Sequence, residues 1–200
     1  IVVGSMSRFI NPGVCNVTYV VFDSSNHSAS FTRKVRFSDY HAPRFNTSEP
    51  LVFTEREGNS TLLKERIIAN DIIDGEISES VINTSSDINY SVAGTYHSTY
   101  EVSNSFGDTS TIELPVHIIK SENNQIDIKL TQGIIYINTG DTIDAADYIE
   151  SVTSAQGRTL HRVVKIESNV DNATPGVYEI HYSASYSGTN GETWLTVVVQ

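Results

Sequence analysis

The sequence has few cysteines, few basic residues and no long apolar run, and each of these excludes a class of protein. Its 200 residues contain one cysteine, Cys15, so no intrachain disulfide can form and a disulfide-stapled scaffold is excluded. It contains no run of eighteen or more apolar residues, so we expect no membrane insertion. Basic residues are also scarce, since 13 Lys and Arg stand against 24 Asp and Glu for a net charge of −11. Because nucleic acids are bound through basic patches, we expect no nucleic-acid partner.

Patterns typical of enzymes are missing as well. The six histidines are scattered and show no paired spacing of the kind that ligates zinc. Serine is abundant, but there is no G-x-S-x-G nucleophile motif and no glycine-rich loop that cradles phosphate. We therefore expect no enzymatic activity and no catalytic residues.

What the sequence does contain is a threefold repeat. Residues 12–21, 93–102 and 175–184 each place a glycine before an alternating run that ends near a tyrosine, and Gly13, Gly94 and Gly176 lie 81 and 82 residues apart. This period is too long for a solenoid unit and is typical of a small independent domain. The repeat therefore predicts a tandem array of domains.

Each copy reads as β-structure. After each glycine, one residue in two belongs to an inward-facing set, and a polar turn and a second alternating run follow. This pattern predicts a closing β-hairpin in every copy and places Tyr19, Tyr100 and Tyr182 in three hydrophobic cores. Cys15 takes the position held by Tyr96 and Tyr178 and is expected to be a small core residue. Short strands with turns every 8–12 residues favour an all-β, two-sheet sandwich.

The repeat also sets the domain boundaries. We predict a partial domain at 1–37 (the first repeat) and complete domains at 38–119 (the second repeat) and 120–200 (the third repeat). The first repeat has only the hairpin half of the pattern, so we expect the parent protein to continue upstream. We also expect residues 1–37 to pair with another copy of the chain or with something else. Linkers are short, with the one at 120–125 the softer, which predicts an elongated array.

The repeat resembles a known family. The P-G-x-Y-x-I-x-Y run of residues 175–182, the polar turn after it, the final V-x-V strand and the D-x-x-D-G-E-I motif of residues 71–77 resemble bacterial immunoglobulin-like repeats. These occur in Gram-positive cell-surface proteins and beside the toxin module of some insecticidal crystal proteins. The resemblance implies tandem immunoglobulin-like sandwiches in a stalk or spacer, sometimes an adhesive module, with no enzymatic activity. The third repeat departs from it, since residues 151–157 lack the acids.

One cluster of acids is a candidate metal site. Asp71, Asp74 and Glu76 place three carboxylates within six residues around a glycine, and Ca²⁺ takes six to eight such oxygen ligands. The spacing differs from that of an EF-hand. The alternative is a polar turn in which an aspartate accepts hydrogen bonds from nearby backbone N–H groups.

Two aromatic residues are candidates for ligand binding. Trp194 and Tyr186 have no obvious core role, and together they predict a platform on which a sugar ring stacks. The alternative for Trp194 is that it caps the edge of the core.

These observations predict a non-catalytic stalk of tandem immunoglobulin-like domains on a bacterial surface or in a secreted protein. Its partners would be neighbouring domains of the same parent chain, and its location extracellular, at the cell surface or cell wall. The alternative is an adhesive or carbohydrate-binding module that presents the same sandwiches to a host glycan or protein. The parent sequence, glycan binding and calcium dependence would separate these hypotheses.

Overall fold

The computed structural model describes residues 2–160 and 163–200, whose regular secondary structure is mostly β-strand. The short helical segments are α1 (Ser60–Arg66) and the 3₁₀ turns Ser78–Ser80, Ser121–Asn123 and Ala145–Tyr148. The protein is therefore all-β, as the alternating pattern predicts. The strands are β1 (Val2–Met6), β2 (Val14–Phe22), β3 (Ser28–Arg36), β4 (Arg44–Thr47), β5 (Val52–Thr54), β6 (Ile67–Asp71), β7 (Gly75–Glu76), β8 (Ile82–Ser86), β9 (Gly94–Ser103), β10 (Thr109–Ile119), β11 (Ile126–Leu130), β12 (Ile134–Ile137), β13 (Ile149–Ser154), β14 (Val164–Ser168), β15 (Gly176–Tyr186) and β16 (Thr189–Val199).

The strands form five sheets. The hairpins β2–β3, β9–β10 and β15–β16 join neighbouring strands in all three repeats, as predicted. The early strands of the second and third repeats, β5 and β12, pair in parallel with the closing strands β10 and β16. The sheet orders are β1-β2-β3, β5-β10-β9-β8, β4-β6-β7, β11-β13 and β12-β16-β15-β14.

The chain divides into two compact units. The first comprises Ile1–Arg44, Ala69–Ile82 and Glu101–Thr111, and the second comprises Phe45–Ile68, Asn83–Tyr100 and Ile112–Gln200. The second repeat contributes segments to both units, whereas the third lies wholly in the second unit. The domain boundaries at 37/38 and 119/120 stay predictions.

The third repeat shows how the alternating pattern builds a core. Ile180, Tyr182 and Ala184 point to one face of β15 and are all nearly inaccessible. They pack with Ile126, Ile128 and Val152 of the sheet β11-β13, and the hydroxyl of Tyr182 donates to the carbonyl of Ala145 at 2.7 Å. Because a strand's side chains alternate between faces, one period-two run supplies one wall of this sandwich.

Two short helical turns connect strands of the second and third repeats. Asn59 caps α1, because its side-chain oxygen accepts from the backbone N–H groups of Thr61 and Leu62, and Leu63 is buried. In the third repeat, Asp144 caps the 3₁₀ turn Ala145–Tyr148 in the same way, accepting from the N–H of Ala146. These turns carry the chain from one strand to the next.

The first repeat departs from the prediction at one residue. Cys15 is fully buried, as expected for a small core residue, but Tyr19 is 44% exposed. The prediction that Tyr19 lies in a core is therefore wrong, whereas the same prediction for Tyr100 and Tyr182 is confirmed. The pattern placed Tyr19 on the correct, apolar face of β2. Burial also requires a second sheet over that face, which alternation within one strand does not report.

Candidate functional site

A polar site in the second unit surrounds Trp194. Its indole stacks on the imidazole of His117, with centroids 3.9 Å apart and planes 6° apart, and on that of His181, at 4.4 Å and 16°. Two rings cannot share one face of an indole at these distances without overlapping, so the imidazoles cover opposite faces. His181 lies directly across the hairpin from Trp194. His117 comes from β10 in the second repeat, so the stack joins the second and third repeats.

His117 is fully satisfied in this position. It is 5% exposed, and its Nε2–H donates to the carboxylate of Glu179 at 2.5 Å. Its Nδ1 lies 3.2 Å from the hydroxyl of Thr95, which donates to a neutral imidazole and accepts from a protonated one. A buried polar side chain without partners would destabilise the fold, so these two hydrogen bonds allow a histidine here.

Carboxylates surround the second imidazole. His181 lies 3.3 Å from Glu192 and 3.7 Å from Glu167, which also pairs with Lys165 at 2.7 Å. The hydrogen bond from His181, with one from the Asn123 amide at 2.8 Å, holds the pKa of Glu192 below its ordinary value. The stack is therefore an aromatic sandwich bordered by the carboxylates of Glu179, Glu192 and Glu167.

Two further contacts join the same repeats. The hydroxyl of Tyr136 accepts from the N–H of Phe45 and donates to its carbonyl, both at 3.0 Å, so it pairs with Phe45 as a neighbouring strand would. Gly133 is buried against Thr47, and a Cβ at this position would lie well inside van der Waals contact with the Thr47 hydroxyl. Glycine is required here because the two backbone segments that carry Gly133 and Thr47 approach so closely.

The linker at 120–125 is tied to the third repeat. The backbone N–H of Gln125 donates to the carbonyl of Asn190 at 2.8 Å, and Asn124 forms an isolated bridge with Gly191. A Cβ at Gly191 would collide with the carbonyl oxygen of Ile126. Composition does not report these backbone hydrogen bonds, and the expectation that this is the softer of the linkers stays a prediction. We call the contacts of His117, Trp194, Tyr136 and Gly133, with this linker, the second junction.

The predicted sugar platform does not form. Trp194 lies on the face of the β15–β16 hairpin that carries His181, whereas Tyr186 lies on the opposite face, with Ala184, and packs against the core. Both faces of the Trp194 indole are covered by imidazoles, and sugar stacking needs an open ring face. The guanidinium of Arg158 lies 5.1 Å from the Tyr186 ring centroid and also donates to its hydroxyl. A joint platform of Trp194 and Tyr186 is therefore contradicted by their geometry.

The predicted calcium ligands act as hydrogen-bond acceptors in the first unit. Asp71 is 5% exposed, and its carboxylate accepts from the N–H groups of Ile73 and Asp74 and from the amide of Asn104. Asp74 accepts from the N–H and hydroxyl of Ser105, at 2.6 and 2.7 Å. Glu76 accepts from the hydroxyl of Ser78 at 3.1 Å. The polar-turn alternative thus accounts for Asp71.

These aspartates support a loop that carries an aromatic residue. The Asn104 side chain accepts from the N–H groups of Phe106 and Asp108, which fixes the β9–β10 turn. Phe106 stacks on Phe9 of the first repeat at 4.8 Å and 27°. Tyr40 packs edge-on against Phe9, also at 4.8 Å, and donates to Asp108 at 2.7 Å. We call this cluster the first junction, because it joins the first and second repeats.

Most residues of the two junctions carry no sequence motif. His117 is the exception, because it stands inside an otherwise apolar segment, Pro115–Val–His–Ile–Ile119, where a histidine needs a specific partner. Glu179, His181, Phe9 and Phe106 come from distant segments, and their pairing depends on how the repeats pack. Sequence reasoning missed them for that reason.

The described residues, 2–160 and 163–200, show neither a cluster of metal ligands nor a membrane-spanning helix. In this part of the chain, no three His, Cys, Asp or Glu side chains come together closely enough to hold a metal ion. The calcium prediction for Asp71, Asp74 and Glu76 thus has no geometric support beyond their spacing. The helices within the same residues are all too short or too polar to cross a bilayer.

The second unit also contains an open cleft. It has a volume of about 580 Å³ and is lined by residues of both the second and third repeats, including Arg66, Glu57, Lys129 and Glu150. The guanidinium of Arg66 lies 4.2 Å from the Phe53 ring centroid and donates to the carbonyls of Pro50 and Val52. This cleft is within the size range of small-ligand sites, but Arg66 is already held by protein groups.

Comparison with known proteins finds two curated relatives. An uncharacterized 81.3 kDa protein of Acholeplasma phage L2 is 31% identical over 139 residues, covering 66% of this chain and 18% of that protein. The pesticidal crystal protein Cry22Aa of Bacillus thuringiensis is 32% identical over 126 residues, covering 60% of this chain and 16% of that protein. The chain thus spans less than a fifth of the length of either relative. No family model matches the chain.

Solved structures show only low similarity. One contains the M60 catalytic domain with the CBM51-1 and CBM51-2 domains of Clostridium perfringens ZmpB, at TM-score 0.31 and 13% identity, covering 95% of this chain and 33% of that chain. Another is the protocadherin γB4 extracellular domain, at TM-score 0.26 and 12% identity, covering 94% and 38%. The all-β assignment therefore rests on the strands of the protein itself.

Proposed function

We propose that the chain is a non-catalytic spacer made of tandem immunoglobulin-like domains, within a larger bacterial surface or secreted protein. The observation that carries this proposal is the second junction, where residues from β10, β15 and β16 enclose one indole between two imidazoles. A spacer that transmits position needs consecutive domains held in one arrangement, and buried, hydrogen-bonded contacts of this kind supply that constraint.

The similarity to two much longer proteins supports the same proposal. In each relative the matching segment is a minor part of the whole, as expected for a region that accompanies other modules. Cry22Aa is a pesticidal crystal protein by name, and the resemblance of the D-x-x-D-G-E-I motif to repeats found beside toxin modules agrees with that match. An extracellular location, at the cell surface or cell wall, belongs to this proposal.

The experiment measures how firmly the second and third repeats are held. Spin labels at two exposed positions, Thr61 in α1 and Ala155 after β13, would be introduced into a Cys15→Ala background, and the distance distribution would be recorded by pulsed electron paramagnetic resonance. We expect a narrow distribution that Trp194→Ala broadens. The matched control is Val177→Ala, an exposed apolar residue on the same sheet face.

A broad distribution in the unmodified chain would overturn the proposal of a position-fixing spacer. Equal broadening of the distance distribution by Trp194→Ala and Val177→Ala would also overturn it, because the stack would then not hold the two repeats together. Domain arrangement is measured directly, so neither result depends on finding a ligand.

The adhesive alternative has one structural feature in its favour, the cleft of about 580 Å³ around Arg66. A glycan array probed with the whole chain tests it. Saturable binding that is weakened by Lys129→Ala, an exposed residue lining the cleft, and unchanged by Lys165→Ala, an exposed residue outside it, would favour a binding module over a pure spacer. The absence of saturable binding would favour the spacer.

A further inference from the structure

One edge of the two-stranded sheet β11-β13 is unpaired. β11 pairs with β13 along one side, and within the described residues no other strand pairs with it along the other side. The edge of a sheet presents backbone N–H and C=O groups to which an extended chain can add as a further strand. The direction of these groups in β11 follows from the hydrogen bonds around it.

The backbone of Ile128 points away from β13. Ile128 lies opposite Val152, and the carbonyl of Val152 accepts from the N–H of Leu160 at 2.8 Å, on the far side of β13. In an antiparallel pair, two opposed residues either exchange both hydrogen bonds or direct all four backbone groups outwards. The N–H and C=O of Ile128 are therefore directed away from β13.

The backbone of Leu130 points the same way. The N–H of the next residue, Thr131, donates to the carbonyl of Tyr148 at 2.9 Å, on the side of β13. Because successive residues of a strand direct their backbone groups to opposite sides, those of Leu130 are directed away from β13. We call the N–H and C=O groups of Ile128 and Leu130 the open edge. Within residues 2–160 and 163–200, none of these four groups has a hydrogen-bond partner.

The open edge runs along the cleft of about 580 Å³ in the second unit. The side chains of Ile128 and Leu130 belong to the hydrophobic core, yet both residues also line this cleft. Thr193 of β16, in the other sheet of the sandwich, lines it too. The cleft therefore follows the side of β11 that faces away from β13, and its volume is within the range of ligand sites.

The charged lining of this cleft is predominantly acidic. Five carboxylates and two basic side chains line it: Glu49, Glu57, Asp127, Glu150 and Glu192, with Arg66 and Lys129. Arg66 pairs with Glu49 at 2.8 Å and donates to two backbone carbonyls, so it is occupied by protein groups. Asp127 and Glu150 are both exposed. The cleft therefore favours a basic partner over an acidic one.

We propose that the open edge binds an extended, basic peptide segment of another protein, which adds to β11 as an antiparallel strand. Antiparallel pairing is the more stable of the two orientations per residue. A second copy of this chain, at a net charge of −11, is a poorer partner for an acidic cleft than a basic segment is. The contact adds to the spacer function and does not depend on it.

The register of the added strand sets which residues it should carry. Directly opposed residues place their side chains on the same side of a sheet. Partner residues that exchange hydrogen bonds with Ile128 and Leu130 therefore point to the core side, as these two do, and should be apolar. The partner residues between them lie on the outer side, where Asp127 is exposed, and should be basic. The expected partner thus alternates apolar and basic residues.

A peptide of this pattern, acetyl-Val-Lys-Val-Lys-Val-amide, tests the contact when titrated into the isotope-labelled whole chain and followed by amide NMR. We expect saturable shifts of the Ile128 and Leu130 amide signals, with a dissociation constant on the order of 0.1 mM, because few hydrogen bonds form. Asp127→Lys should weaken binding about fivefold or more. Glu113→Lys, which makes the same charge change at an exposed position outside the cleft, is the matched control and should weaken it less. The spectrum of each variant also reports its folding.

Two methylated peptides test the backbone contact itself. In the antiparallel register, the valine N–H groups face the open edge and the lysine N–H groups face away from it. N-methylation of the three valines should therefore abolish binding, whereas N-methylation of the two lysines should leave it within about threefold.

Three outcomes would overturn the proposal. The first is the absence of saturable shifts at millimolar peptide. The second is a peptide methylated on its valines that binds as tightly as the unmethylated one, because the open edge would then make no hydrogen bonds to it. The third is equal weakening by Asp127→Lys and Glu113→Lys, as general attraction to an acidic chain would give. The spacer function is tested separately, since its distance measurement contains no peptide.

Discussion

The indole of Trp194 lies flat against the imidazole of His117, although 76 intervening residues separate them in the chain. Their stacking places a residue of the second repeat against the outer face of the third repeat's main sheet. Because His181 covers the other side of the same indole, the ring of Trp194 is enclosed between one residue of the second repeat and one of the third. The properties of this stack can be tested by substitution.

Replacing Trp194 should destabilise the second unit. Trp194→Ala removes two stacking contacts and leaves His117 facing a gap, and we expect the free energy of unfolding to fall by about 2 kcal/mol. Urea unfolding followed by circular dichroism measures this change. Val177→Ala, on the same sheet face, should cost less than about 0.5 kcal/mol. Equal effects of the two substitutions would mean that the stack contributes nothing specific.

Acid should weaken the same region through Glu192. Its pKa is lowered in the folded protein, mainly by the hydrogen bond from His181. The stabilisation from its ionised form is therefore present above its ordinary pKa and is lost as the pH falls through the lowered, folded-state value. Glu192→Gln should reduce stability at neutral pH and converge with the unmodified protein in strong acid.

Urea unfolding across a pH series checks this expectation, with Glu150→Gln as the control. Glu150 is an exposed carboxylate on β13, and its replacement should leave the pH profile nearly unchanged. A constant difference between Glu192→Gln and the unmodified protein at every pH would contradict the linkage and indicate a purely steric effect.

The sequence predicted those features of the fold that depend on the residue pattern within a single strand. The alternation around Tyr182 identified its buried face, because period two depends only on neighbours in the chain. For Tyr19 the same alternation found the correct face but not its exposure, because burial depends on a second sheet. The surroundings of the candidate metal ligands were missed for a related reason: the spacing of Asp71 and Asp74 indicated oxygen ligands but not that Asn104 and Ser105 would reach them. Partners from distant segments become visible only once the repeats are packed.

The acids of the first unit should stabilise it without metal. Asp71→Ala removes a buried acceptor of three hydrogen bonds and leaves the Asn104 amide with one fewer partner, so we expect a loss of about 2 kcal/mol. Asp74→Ala should cost about 1 kcal/mol, and Glu76→Ala, exposed and with a single hydroxyl partner, still less. Thermal unfolding in the presence of a chelator measures all three.

The same experiment in millimolar calcium separates the two roles of these acids. If they serve only as hydrogen-bond acceptors, calcium leaves the melting temperature of the unmodified chain unchanged. A calcium-dependent rise in melting temperature that Asp74→Ala abolishes would support the metal prediction instead.

Close approach at Gly133 should make this position intolerant of any side chain. Gly133→Ala drives a Cβ into the hydroxyl of Thr47, and we expect a loss of about 2 kcal/mol. That hydroxyl is buried and makes no hydrogen bond within the described residues. Removing it therefore deprives no other group of a hydrogen-bond partner. Adding Thr47→Ala to Gly133→Ala should therefore restore about 1 kcal/mol, which a double-mutant cycle in urea measures.

Gly191 is the matched comparison for this cycle. A Cβ at Gly191 would collide with the backbone carbonyl of Ile126. Gly191→Ala should therefore be at least as destabilising as Gly133→Ala. Thr47→Ala should not rescue it, because no side-chain truncation removes a backbone oxygen. Rescue of both glycine variants by Thr47→Ala would show that this substitution acts through general stability and not through the contact between Gly133 and Thr47.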